Sequence, residues 1–143
     1  MRLLLDTHTL LWWLSDDPQL GPCARDLIAD PANEILVSVV SLWEIQVKMR
    51  VGRLTADMQD ILDAIEGQGF ELLSITPAHL LRLGALPAHH KDPFNHLLIA
   101  QAIVEAANFV SEDRHTADYP VRFVTCSGPA QGCLASAQLF QFG

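Results

Sequence analysis

The sequence predicts a three-layer α/β/α sandwich around a mostly parallel sheet, and two observations carry that prediction. Short apolar runs at residues 2–5, 35–38 and 108–111 alternate with longer stretches whose apolar residues recur at helical spacing. This is how strands look when helices cover both faces of a sheet. In addition, polar or acidic residues stand directly after those runs: Asp6, Ser38, and Ser111-Glu112-Asp113. In open α/β sheets the carboxyl ends of the strands form the edge where ligands bind.

Taken in order, residues 2–5 form a strand that ends in Asp6, and residues 10–14 form a helix closed by Ser15-Asp16-Asp17-Pro18. Asp6 is open to two readings, a helix cap or a ligand-edge acid. Gly21-Pro22 opens a second helix, ended by Asp30-Pro31-Ala32-Asn33 before the strand at residues 35–38. The third helix starts at Ser41 and runs to Gly52. Ser41 and Glu44 have capping-box spacing, so Glu44 is equally open between a cap and a site acid. Lys48, Arg50 and Arg53 form the densest basic cluster, either complementing the helix dipole or touching RNA phosphates.

Residues 55–66 read as another helix, broken by Gly67-Gln68-Gly69, and residues 70–75 as a strand. Thr76-Pro77 opens a short helix through residue 83. His89 and His90 are read as loop histidines, since no paired His or Cys stands at metal-ligand spacing. Asp92-Pro93 is a helix start, because the Asp side chain accepts an orphan amide and Pro suits the first helical position. Phe94, Leu97, Leu98 and Ala102 then recur at helical spacing. Residues 108–111 and 121–124 complete the sheet, with right-handed connections expected between parallel strands. From Ser127 onward, Leu134, Leu139, Phe140 and Phe142 are apolar but separated from the last strand by Gly128-Pro129, and their place is open.

With 143 residues, half of them hydrophobic and 18% charged, the chain is expected to be one globular domain. No apolar run is long enough to cross a bilayer, and residues 1–6 do not read as a signal peptide. Cys23, Cys126 and Cys133 are odd in number and lack metal-ligand spacing, so a cytoplasmic protein with reduced thiols is expected. The net charge of -8 excludes a conventional basic nucleic-acid surface. It leaves room for a nuclease whose acids sit around a divalent ion, which reverses the local sign.

Asp6, residues 38–44, residues 92–95 and residues 111–113 all fall at strand ends or helix starts, and a parallel sheet brings these to one edge. Carboxylates gathered in one cleft repel each other unless a cation joins them. Oxygen ligands without Cys or grouped His favour Mg²⁺ or Mn²⁺ over zinc. Hydrolysis of a phosphodiester is the natural chemistry of such a centre. A small-molecule phosphohydrolase is disfavoured, since neither a strand-end Asp-x-Asp pair nor a Gly-rich phosphate loop is present.

Four pieces carry a resemblance to a known family. They are Leu4-Leu5-Asp6-Thr7-His8, the run from Ser38 to Ile45 that contains Glu44, the run from His89 to Ala102, and Phe109-Val110-Ser111-Glu112-Asp113. With them in this order, the chain resembles PIN-domain proteins, specifically VapC-type toxins of bacterial toxin–antitoxin pairs, from Arg2 to about Val124. The resemblance implies a nuclease domain at residues 1–125, with a tail of uncertain structure at 126–143. It further implies Mg²⁺- or Mn²⁺-dependent endoribonuclease activity, inhibition by a cognate antitoxin protein, and homodimerisation. By the same resemblance the metal-binding and catalytic acids fall on Asp6, Glu44, Asp92 and Asp113, and a further one on Asn95. There the sequence departs from the pattern, as it does at His96, which stands where an Arg is usual. Asn keeps a coordinating oxygen but removes a charge and adds a donor. Weaker metal affinity and reduced activity are therefore expected. The alternative is a catalytically impaired binding module that retains the antitoxin surface. Thr7 and Ser111 either orient ligands or cap locally.

Overall fold

The computed structural model describes residues 1–87, 92–112, 116 and 118–125. His89, His90, Asp113 and the tail at 126–143 lie outside them. The elements, in order, are β1 (Arg2–Leu5), α1 (Thr7–Leu14), α2 (Pro22–Ala29), β2 (Glu34–Ser38), α3 (Val39–Arg50), α4 (Met58–Gly67), β3 (Glu71–Leu73), α5 (Pro77–Ala85), α6 (Pro93–Val104), β4 (Asn108–Val110) and β5 (Phe123–Val124). The strands form one sheet in the order β3-β2-β1-β4-β5, and every pairing is parallel. The expected α/β/α sandwich is what forms.

Side chains on a strand alternate between the two faces of the sheet, and here both faces are apolar. Leu3, Leu5, Ile35, Val37 and Val110 point into one core, which includes Leu10, Ile45 and Ile61 from the covering helices. Leu4, Leu36 and Phe109 point into the other, against Leu97, Leu98 and Ala102 of α6. The continuous apolar strands and the unusually apolar α6 have one cause, burial on all sides.

Several boundaries differ from expectation, and three of them are instructive. Helix α3 begins two residues before Ser41, with Ser38 as its cap, the side chain accepting from the Val40 amide at 3.0 Å. The Ser41–Glu44 capping box is therefore absent, because a buried strand running straight into a helix places the cap at the strand's last residue. Helix α4 starts at Met58, capped by Asp57, instead of at residue 55. Strand β3 has three residues, shorter than the run at 70–75, because it pairs on one side only, against β2. Cys23, expected to be a free thiol, is buried and disulfide-bonded. Sequence spacing and compartment say nothing about which sulfurs meet in space. No helix among the described residues is long and apolar enough to cross a membrane.

A buried polar spine joins the layers behind the sheet's ligand edge. Ser38 Oγ donates to Gln101 Oε1, and Gln101 Nε2 reaches the Ser74 carbonyl at 3.4 Å and His79 Nδ1 at 3.3 Å. His79 Nδ1 accepts the Thr76 amide at 3.0 Å, so Nε2 carries the ring proton and points at Glu105 Oε2, 2.9 Å away. Fully buried donors and acceptors are costly once a partner is removed. Gln101→Met, which keeps the volume and strips the bonds, is expected to destabilise the fold by roughly 1–3 kcal/mol. The urea midpoint reads this loss, and an unchanged midpoint would show the spine to be energetically idle.

At the opposite edge, Glu34 and Glu71 face each other from β2 and β3. The hydrogen bond to Glu34, then its negative charge, pushes the Glu71 carboxyl up; the bond from Glu71, then the charge of Arg2, holds Glu34 down. A carboxyl raised in the folded state contributes stability below its unfolded pKa and loses it as pH rises through the folded value. Glu71→Gln is therefore expected to raise the melting temperature slightly at pH 7, with no gain at pH 4. An equal gain at both pH values would point to a cause other than repulsion.

Candidate active site

The strand order changes direction at β1, with β2 and β3 on one side and β4 and β5 on the other. Such a switch point leaves a crevice at the carboxyl ends of the strands. Asp6 stands there, bonded through its backbone amide to the Val110 carbonyl at 3.1 Å. Its Oδ1 accepts the Thr9 amide at 2.8 Å, and its Oδ2 accepts the Ser111 hydroxyl at 2.7 Å. One oxygen thus caps α1, and the residue also lines the crevice. The side chain is buried, and desolvation pushes its pKa above the ordinary carboxylate value, with the bonds from Ser111 and Thr9 pulling it back.

Glu44 projects from α3 into the same crevice. Thr7 donates to its Oε1 at 2.6 Å, and Lys48, one turn along the helix, places Nζ 3.0 Å from its Oε2. Thr7 Oγ1 also lies 3.2 Å from Ser41 Oγ, so Ser41 supports a side-chain cluster and caps nothing. Arg50 and Arg53 are exposed at and beyond the far end of α3 and do not line the crevice.

Asp92 caps α6, its Oδ1 accepting from the amides of Phe94 and Asn95 at 3.1 and 3.2 Å. That cap holds Asn95 in the first turn, where it is buried. A cavity of about 370 Å³ is lined by Asp6, Thr7, Glu44, Asp92, Asn95 and Glu112. His8, Trp12 and Leu98 complete its wall. Four of the five expected site residues therefore meet, and the fifth, Asp113, lies outside the described residues. Sequence reasoning passed over His8 and Trp12. Their signal was available, because residues four apart on a helix capped by Asp6 share one face.

The donor set fits a hard divalent cation, with carboxylate and amide oxygens around a cavity and one carboxylate whose charge is disfavoured by burial. Among the described residues no three His, Cys, Asp or Glu side chains are close enough to hold one ion.

A parallel α/β/α sandwich with an acidic crevice at its switch point defines the class, and the chain matches the PIN domain over residues 3–121. The chain belongs to the PIN domain family. It is similar to Ribonuclease VapC22 of Mycobacterium tuberculosis, 27% identical over 115 residues, an alignment covering 78% of this chain and 87% of that protein. Its fold is similar to the solved structure of VapBC2 from Rickettsia felis bound to a promoter DNA fragment. The TM-score is 0.69 at 19% identity, covering 87% of this chain and 98% of that one. DNA-bound VapBC from Salmonella typhimurium is also similar, with a TM-score of 0.64 at 15% identity, covering 87% and 98%.

Proposed function

We propose that this chain is a Mg²⁺- or Mn²⁺-dependent endoribonuclease, the toxin of a type II toxin–antitoxin pair, acting on RNA in the cytoplasm. The observation that carries the reading is the convergence of Asp6, Glu44, Asp92 and Asn95 on one cavity at the sheet's switch point. Similarity to a protein named a ribonuclease supports it. Asp6, Glu44, Asp92 and Asn95, together with Asp113, would surround the metal, one or two carboxylates binding it directly and the others through water. When bound, such an ion supplies an activated water and neutralises charge developing on the phosphate.

The chain's own residues prepare that site. Ser111 and Thr9 fix the two oxygens of Asp6, so that its carboxylate does not rotate away from the cavity. Thr7 and Lys48 do the same for Glu44, and the Lys48 ammonium tempers repulsion between the acids. Asp92 positions Asn95 through the first turn of α6.

The partners we propose are a cognate antitoxin protein and a second copy of the chain. The resemblance of the fold to VapBC complexes supports the first. Leu80 and Leu81 on α5 and Trp43 on α3, all more than half exposed, support the second.

Asn95 favours a second reading, an impaired PIN module that binds antitoxin without cleaving. Cleavage of a panel of structured RNAs by the chain as it stands and by Asn95→Asp, with Mg²⁺ and with EDTA, separates the two. EDTA-sensitive cleavage supports the nuclease. Absence of cleavage by both variants supports the module.

A further inference from the structure

We propose that Trp12 is the base-stacking wall of the substrate groove, taking the nucleobase that flanks the phosphodiester held at the acids. This rests on the nuclease reading and adds to it how an acidic protein grips RNA. A second cavity, of about 460 Å³, is lined by Trp12, Pro18, Gln19, Gly21, Pro22 and Glu112. Trp12 and Glu112 belong to its wall and to the wall of the acid-lined cavity alike. The two cavities are therefore neighbours, and the indole stands between them.

The ring is held in place. Trp12 packs against the core cluster that includes Leu10 and Leu20, and it is half-buried. His8, one turn earlier on the same face of α1, stacks against it at 5.9 Å between centroids and 28° between planes. Asp6 caps that same helix, so one short element positions an acid, an imidazole and an indole along the acid-lined cavity.

Charge decides what lies against the ring. Glu112, shared by both cavity walls, repels a phosphate there, which leaves the uncharged base as the part of a nucleotide that fits beside Trp12. With nine Lys and Arg against seventeen Asp and Glu, the chain offers little of the phosphate neutralisation that usually drives RNA binding. Stacking on an aromatic ring is the sequence-tolerant alternative that needs no positive charge.

The test is fluorescence anisotropy of a fluorescein-labelled single-stranded RNA hexamer with Mg²⁺, using the full chain, Trp12→Phe and Trp12→Ala. It is repeated with hexamers in which each base in turn is removed. Trp12→Ala is expected to weaken binding of the intact hexamer about tenfold, and Trp12→Phe much less. Removing one particular base should cost the natural chain about the same factor and cost Trp12→Ala nothing more. The scan on the natural chain stands even if Trp12→Ala does not fold. A flat scan, with RNA still cleaved by Asn95→Asp, overturns the stacking wall and leaves the nuclease intact. RNA neither bound nor cleaved overturns both. If Trp12→Ala instead loses a synthetic Arg- and Trp-containing peptide while RNA binding is unchanged, the cavities belong to a protein partner and the proposal fails.

Discussion

Asn95→Asp is expected to raise Mg²⁺-dependent RNA cleavage on the order of a hundredfold, equivalent to about 3 kcal/mol of transition-state stabilisation. The expectation follows from where Asn95 sits. It is buried in the first turn of α6, its amide fixed by Asp92, and it lines the cavity with Asp6 and Glu44. An amide there contributes a neutral oxygen and two hydrogen-bond donors, whereas a carboxylate adds a charge that binds a divalent ion and two acceptor oxygens. Single-turnover rates with saturating Mg²⁺ separate a gain in chemistry from a gain in metal affinity, which a Mg²⁺ titration reads. Equal cleavage by both forms would show that Asp92 already supplies the missing charge.

Asp6→Asn, introduced into the Asn95→Asp chain, is expected to remove that activity by about a thousandfold, roughly 4 kcal/mol. Stability should move the other way. Burial raises the Asp6 pKa, so the folded protein disfavours the charged carboxylate. A carboxyl raised in this manner favours the fold below its unfolded pKa and opposes it above its folded one. Asn can still accept the Thr9 amide and can donate to Ser111, so it replaces the bonds without the charge. In EDTA at pH 7, Asp6→Asn should melt no lower than its parent, and any gain should shrink toward acid pH. Adding Mg²⁺ should raise the melting temperature of the parent alone, since an ion that binds only the folded state stabilises it by mass action. A Mg²⁺-induced rise in Asp6→Asn as well would remove Asp6 from the ion's site.

Much of this was legible in the linear chain. Leu3 to Leu5, Ile35 to Val37 and Phe109 to Val110 are apolar on successive residues, as a strand covered on both faces is. The Asp92-Pro93 start of α6 is local chemistry, and it forms as read. The start of α3 was misplaced because Ser38 and Ser41 carry equivalent hydroxyls. What chose between them was the docking of α3 on the sheet, which turns Ser41 and Glu44 toward Thr7. The His79–Gln101–Ser38 spine was invisible, since its members are 22 and 63 residues apart in sequence.

Local rules therefore established the elements, their alternation and the acids at their ends, because periodicity, capping and proline geometry act within a few residues. Tertiary structure alone settled which acids share a cavity, that Lys48 is spent on Glu44, and that Trp12 lines two neighbouring cavities. Those facts depend on the strand order and on the direction each helix faces. Both are fixed by burying two apolar faces of one sheet at once, a condition the whole chain must satisfy together.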